Sequence, residues 1–207
     1  MSAYFVRLPP KNEELLASAK DIGTQIASEG WGVISGLGSS GMMGKVVEGA
    51  AEVIKSQGKG WVGGSNLPRI MDIEGLPEYY DKNWVREDIY TRMEVMIKES
   101  QAMVVMPGGM GSVQELMAML LLKHNRKLPG QPYIMRDDKF GNKPIILVNQ
   151  QIKGRGGHPV KFWEPVVKMA EKFGFQDDIK VVGTVEEAMD YLKNYHLEKA
   201  ALGAGVA

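Results

Sequence analysis

The sequence predicts an α/β fold, a Rossmann-like doubly wound parallel sheet in a single domain. Three observations lead there. Short apolar runs alternate with amphipathic stretches of helical period along the chain. Two glycine-rich turns each follow one of those runs. The 207 residues, 44% apolar and with 25 glycines, suit one domain around a single core. Strands that alternate with helices pair in parallel, with helices on both sheet faces, and ligands of such sheets sit at the carboxyl ends of the strands.

In chain order, the first strand spans residues 4–8 and ends in Pro9-Pro10. Further strands are expected at 31–35, 61–63, 103–106, 145–148 and 179–182, each a short apolar run. Helices are expected at 13–28, 42–57, 90–99, 113–124 and 162–173, where apolar residues recur at helical period. Segments 67–88 and 125–143 are rich in Pro, Gly and charge, too long for simple connections, and read as lids or oligomer contacts. Residues 1–199 form the domain, and the small, Gly-rich residues 200–207 read as a flexible tail.

Composition narrows the function. The 25 basic and 25 acidic residues cancel, so no overall field favours DNA, RNA or an anionic membrane, and any anion site must be local. Cysteine is absent, which excludes disulfides and thiolate metal sites. The N-terminus has no long apolar stretch and no run approaches 18 apolar residues, so a soluble, cytoplasmic protein is expected. His124, His158 and His196 are scattered without metal-ligand spacing, and no metal site is expected. The 14 methionines largely read as core, as do Phe162 and Trp163, while Tyr79, Tyr80 and Trp84 are candidates for a base pocket.

The most informative segment is Pro107-Gly108-Gly109-Met110-Gly111-Ser112-Val113-Gln114-Glu115, between the apolar run 102–106 and a helical stretch. Glycines let the backbone turn tightly and approach a ligand, and free amides at a helix start point at negative charge. Ser112 adds a hydroxyl donor, and Glu115 places a carboxylate three residues on. The same Ser-to-Glu spacing is a capping box, and spacing alone does not choose between capping and chemistry. No Gly-Lys-Ser/Thr follows, so this is not a P-loop. A second turn, Gly36-Leu37-Gly38-Ser39-Ser40-Gly41-Met42-Met43-Gly44, follows the 31–35 strand. Two phosphate-compatible loops in one domain suggest a single nucleotide-like ligand between them.

With both loops placed, the chain resembles the LOG family, nucleoside 5′-monophosphate phosphoribohydrolases often labelled "possible lysine decarboxylase". The family pattern Pro-Gly-Gly-x-Gly-Thr-x-x-Glu matches at Pro107 to Glu115, with Ser112 for Thr, and the family's preceding Arg matches Arg92, 23 positions before Glu115. Asp88 fits as well. The first loop is similar at Gly36, Gly38, Ser39, Gly41, Met43 and Gly44, with Leu37 in place of a glycine. Met93 stands where many members carry Lys, and Pro9-Pro10 where they carry Gly-Ser-Ser.

The resemblance implies hydrolysis of the N-glycosidic bond of a nucleoside monophosphate without metal or organic cofactor, by a homodimer or larger homo-oligomer. It implies Arg92 and Glu115 as catalytic residues. Gly36, Gly38, Ser39, Gly41, Met43, Gly108, Gly109, Gly111 and Ser112 would bind phosphate or nucleotide. Glu115 would stabilise the positive charge that builds on the ribose and activate water. Arg92 has three open partners: Glu115, the phosphate and the departing base. Molybdenum-cofactor carrier proteins look similar in fold, so a non-catalytic carrier of a phosphorylated ligand is the alternative. No Lys sits in a recognisable pyridoxal-phosphate setting, which argues against a decarboxylase.

Overall fold

Among the described residues, seven strands pair in one parallel sheet. The computed structural model describes residues 2–4, 13–125, 142–153 and 158–204. The strands are β1 (Ser2–Tyr4), β2 (Gly32–Ser35), β3 (Trp61–Asn66), β4 (Lys82–Val85), β5 (Met103–Val105), β6 (Ile145–Val148) and β9 (Lys180–Val182). A separate antiparallel ribbon joins β7 (Gln151–Lys153) to β8 (Pro159–Lys161). The helices are α1 (Glu13–Ser28), α2 (Gly41–Gln57), α3 (Pro68–Glu74), α4 (Ile89–Glu99), α5 (Met110–Asn125), α6 (Glu164–Phe173) and α7 (Val185–Ala204).

Side chains alternate across the sheet, and the core divides accordingly. Val33, Val104, Ile146 and Val148 pack with α1, α2 and α7, including Ile22, Val46 and Met189. Ile34, Met103, Val105, Ile145 and Leu147 pack with α4, α5 and α6, including Met96, Leu116 and Ala170. The α1–α2 pair is especially close, since a Cβ on Gly23 would overlap the Val46 carbonyl and one on Gly49 the Lys20 carbonyl.

The chain first builds β1 to β4 outward on one side, then crosses to β5 on the other side of β1. That switch leaves the carboxyl ends of β2 and β5 flanking β1, where a doubly wound sheet opens a crevice. The two glycine turns emerge at these ends.

The α/β reading holds, and several boundaries move. Segment 67–88 contains α3 and the edge strand β4, so it is structured. Half-exposed Lys82–Val85 lacks an apolar run because an edge strand has one covered side only. Strand β3 continues through Gly63, Gly64 and Ser65 to Asn66, all buried although not apolar. Helix α6 starts at Glu164, and Phe162 and Trp163 form the turn before it, with Trp163 in the core. Helix α7 runs through Ala204, into the segment expected as tail, and residues 205–207 lie outside the described residues. So do residues 5–10 of the expected first strand and its Pro-Pro end, and most of segment 125–143. Among the described residues, no helix is long and apolar enough to cross a membrane.

Candidate active site

The Pro107 turn leaves β5 and enters α5 at Met110, three residues earlier than expected. The Val113 amide donates to the Gly109 carbonyl at 3.1 Å, a bond already within the helical ladder. Ser112 is therefore the third helical residue and Glu115 the sixth. The capping-box reading fails for this reason, because the residue before the helix is Gly109. The glycine is needed at 108, where a Cβ would overlap the fully buried Ser112 hydroxyl.

One turn into α5, Glu115 faces Arg92, with Nη1 to Oε1 at 3.8 Å. Both residues are 7% exposed. Arg92 is delivered by the first turn of α4, whose start is built by Asp88. Its Oδ1 accepts the amides of Tyr90 at 2.8 Å and Thr91 at 3.0 Å, and its Oδ2 accepts the Thr91 hydroxyl at 2.8 Å. These bonds, led by the one from the Thr91 amide, hold the Asp88 carboxyl below its ordinary value. Farther out, Arg92 Nε donates to the Ser65 carbonyl at the end of β3, at 2.8 Å. A Cβ on Gly36 would overlap Nη2, so the guanidinium lies against the first glycine loop. Arg92 thus ties α4, β3 and the loop after β2 to the carboxylate on α5.

Burial pushes the Glu115 carboxyl up to about 8, and Arg92 opposes that rise. A desolvated carboxyl loses the hydration that favours its charged form. One guanidinium, not in close contact, compensates only in part. A group poised this near neutrality suits proton transfer.

The first loop is held by its own contacts. Leu37 has φ of 57°, the left-handed region, and is the one non-glycine there among the described residues. Its amide donates to Ser35 Oγ at 3.1 Å, and its carbonyl accepts Asn66 Nδ2 at 3.2 Å. The side chain is fully buried over Gly64, where a Cβ would come within 2.8 Å of Leu37 Cβ. Leu37→Gly would relieve about 1 kcal/mol of backbone strain. It would lose a buried leucine, which costs about 2–5 kcal/mol when truncated even to Ala. A net loss of about 2–3 kcal/mol is expected in urea unfolding, and a more stable variant would show that burial does not hold this loop.

Met43, near the start of α2, spans the loop: its sulfur lies 2.9 Å from a Cβ position on Gly36 and its methyl 2.8 Å from one on Gly38. Beyond it, Glu74 Oε2 lies 2.6 Å from the Gly38 Cβ position. Ser39 bonds to the corner that carries Glu74, and Gly41 (φ 64°) opens α2. The structure therefore gathers Arg92, Gly36, Gly38, Ser39, Gly41 and Met43 around the first loop. Arg92 links this group to Glu115, with Gly108, Gly109, Gly111 and Ser112 in the turn just before it.

Of the other candidates, Tyr79 lines a cavity with Ser39 and Gly44 of the first loop. Met93 packs half-buried on the α4–α6 side of the core. Tyr79 packs on the α2 side and donates to Asp81 Oδ1 at 2.9 Å, and Trp84 lies on the edge strand near Lys82. The histidines are apart: His124 pairs with Asp178 at 3.3 Å and His196 packs on Trp31. Among the described residues, no three His, Asp or Glu side chains could share a metal ion. The sequence reading missed Ser65, Asn66 and Glu74. The first two end a strand that looked shorter, and the third sits in a segment read as a lid or oligomer contact.

Fold and site define a Rossmann-like α/β protein with two glycine loops and a buried Arg–Glu pair at the carboxyl edge of its sheet. A family model described as "Possible lysine decarboxylase" matches residues 43–194, and the chain belongs to that family, the LOG family. It is similar to the cytokinin riboside 5′-monophosphate phosphoribohydrolase of Mycobacterium tuberculosis, 31% identical over 115 residues, covering 55% of this chain and 58% of that protein. The protein of the same description from Mycobacterium marinum is 31% identical over 116 residues, 56% of this chain and 59% of that one. The chain thus matches just under three-fifths of the length of these relatives. Among solved structures, the molybdenum cofactor binding protein of Rippkaea orientalis superposes with a TM-score of 0.64 at 15% identity, covering 94% and 95% of the two chains. The molybdenum cofactor carrier protein of Chlamydomonas reinhardtii does so with 0.62 at 21%, covering 93% and 95%. At these identities the likeness is one of fold.

Proposed function

We propose that this chain hydrolyses the N-glycosidic bond of a nucleoside 5′-monophosphate, releasing the free base and ribose 5-phosphate. The observation that carries the reading is the buried Arg92–Glu115 pair beside the Pro107 turn, with the carboxyl pushed up to about 8. Bond cleavage leaves positive charge on the ribose ring, which a nearby carboxylate stabilises. The same carboxylate takes a proton from water as its oxygen bonds to C1′, and a proton ends on the departing base nitrogen. Gly108, Gly109, Gly111 and Ser112 would hold the 5′-phosphate and so fix the ribose relative to Glu115. The named relatives' activity, at 31% identity, supports this class of reaction. Homodimerisation and a cytoplasmic location belong to the same proposal. Tyr90 and Met110, 70% and 81% exposed at the starts of α4 and α5, offer apolar surface next to the site for a second copy.

Purified protein incubated with AMP, GMP, CMP and UMP should release free base from at least one, measured by chromatography; release from none would end this reading. The pH profile tests the role of Glu115. Since kcat/KM reports the free enzyme, it should rise with pH and level off above about 8, as the carboxylate form fills. A fall across that range would assign the protonated form instead.

A second reading, a carrier of a phosphorylated pterin, draws on the structural neighbours alone. Carrying a ligand does not call for a buried, near-neutral acid. A fluorescent pterin retained through purification would favour the carrier.

A further inference from the structure

The geometry points to Glu74 as the group that reads the sugar, accepting hydrogen bonds from the ribose hydroxyls and so selecting ribo- over 2′-deoxynucleotides. This inference rests on the proposed nucleotide site. Glu74 ends α3, and its corner is bolted to the first loop: Ser39 Oγ donates to the Glu74 carbonyl at 2.5 Å and the Ser39 amide to the Gly75 carbonyl at 3.3 Å. Gly75, at φ 69°, permits the turn, and a Cβ there would crowd Ser39 Oγ at 3.0 Å. The side chain thereby reaches the Cα of Gly38, beside the Met43 methyl. Its Oε2 is buried and accepts no hydrogen bond among the described residues.

A buried carboxylate oxygen without a donor is costly unless a ligand supplies one. The chemistry restricts that ligand. A carboxylate on the Gly38 edge repels phosphate, so with the phosphate at the Pro107 turn the Gly38 end of the first loop faces a neutral part of the nucleotide. Ionised Glu is acceptor-only, and a vicinal diol offers two donors. Met43 bridges from Gly38 to Gly36, against which the Arg92 guanidinium lies, so this carboxylate and Arg92 flank the same loop. Leu37 and Asn66 hold the loop from behind.

The experiment measures kcat/KM and calorimetric Kd for AMP and 2′-deoxy-AMP with wild type, Glu74→Gln and Glu74→Asp. Because the Glu74 carboxylate oxygen facing Gly38 makes no hydrogen bond among the described residues, neither variant should melt below wild type. Wild type should favour AMP by about 10- to 100-fold, the worth of a hydrogen bond to a charged acceptor. Both variants should narrow that ratio to about threefold or less, mainly by weakening AMP. Equal use of both sugars by wild type, or an unchanged ratio in the variants, overturns the inference while leaving hydrolysis intact. Conversely, Glu74-dependent preference in binding without base release upholds it and overturns the hydrolase reading. Binding of neither nucleotide overturns both.

Discussion

Glu115→Gln should lower kcat/KM by about 10²- to 10⁴-fold, the range of a well-placed acid–base group, and at the same time stabilise the fold. The sign follows from the raised carboxyl. A Glu ionising near 4.5 when unfolded and near 8 when folded binds more protons in the folded state between those values. Its contribution to stability is fully present below about 4.5 and is lost as pH rises through about 8. The neutral amide has no such loss. Wild type and variant should therefore match near pH 4, with the variant gaining up to about 5 kcal/mol above pH 8. Urea unfolding at several pH values reads this directly. A variant destabilised at pH 9 would mean that the Arg92 contact outweighs the burial of Glu115.

Arg92→Ala should have the second largest effect. Removing the guanidinium deletes the charge that opposes the rise of the Glu115 carboxyl. The rising limb of the pH profile should move upward by about one unit or more, and activity at neutral pH should fall by about 10²-fold or more. Arg92→Lys keeps a charge but not the planar group that donates from Nε to Ser65 and lies against Gly36, so it should restore only part of the activity. Were Arg92 a phosphate ligand alone, the variants would raise KM with the pH limb in place. Pairing with Glu115 is thus one of the three partners left open by the sequence that the structure supports directly.

Much of the architecture was legible because helices and buried strands carry strong periodicity. Helix α1 and strand β6 fall at the expected residues, since each has a regular apolar pattern bounded by polar residues or proline. Strand β4 and helix α3 escaped because an edge strand and a short, half-exposed helix bury too little to leave a pattern. The glycine turns were plain, but the start of α5 was misplaced because glycines hid its first turn. That error alone created the apparent capping box.

By itself, the sequence determined an alternating α/β chain, the two glycine turns at strand ends, and the motif register linking Arg92 to Glu115. Patterns of this kind are local, or are recognised by family resemblance. Only the tertiary structure decided that 23 positions close to 3.8 Å, and that burial brings the Glu115 carboxyl to about 8. It alone brought Glu74 to the first loop. Distance and desolvation depend on which elements the sheet brings together, and neither is a property of a residue or of its neighbours in the chain.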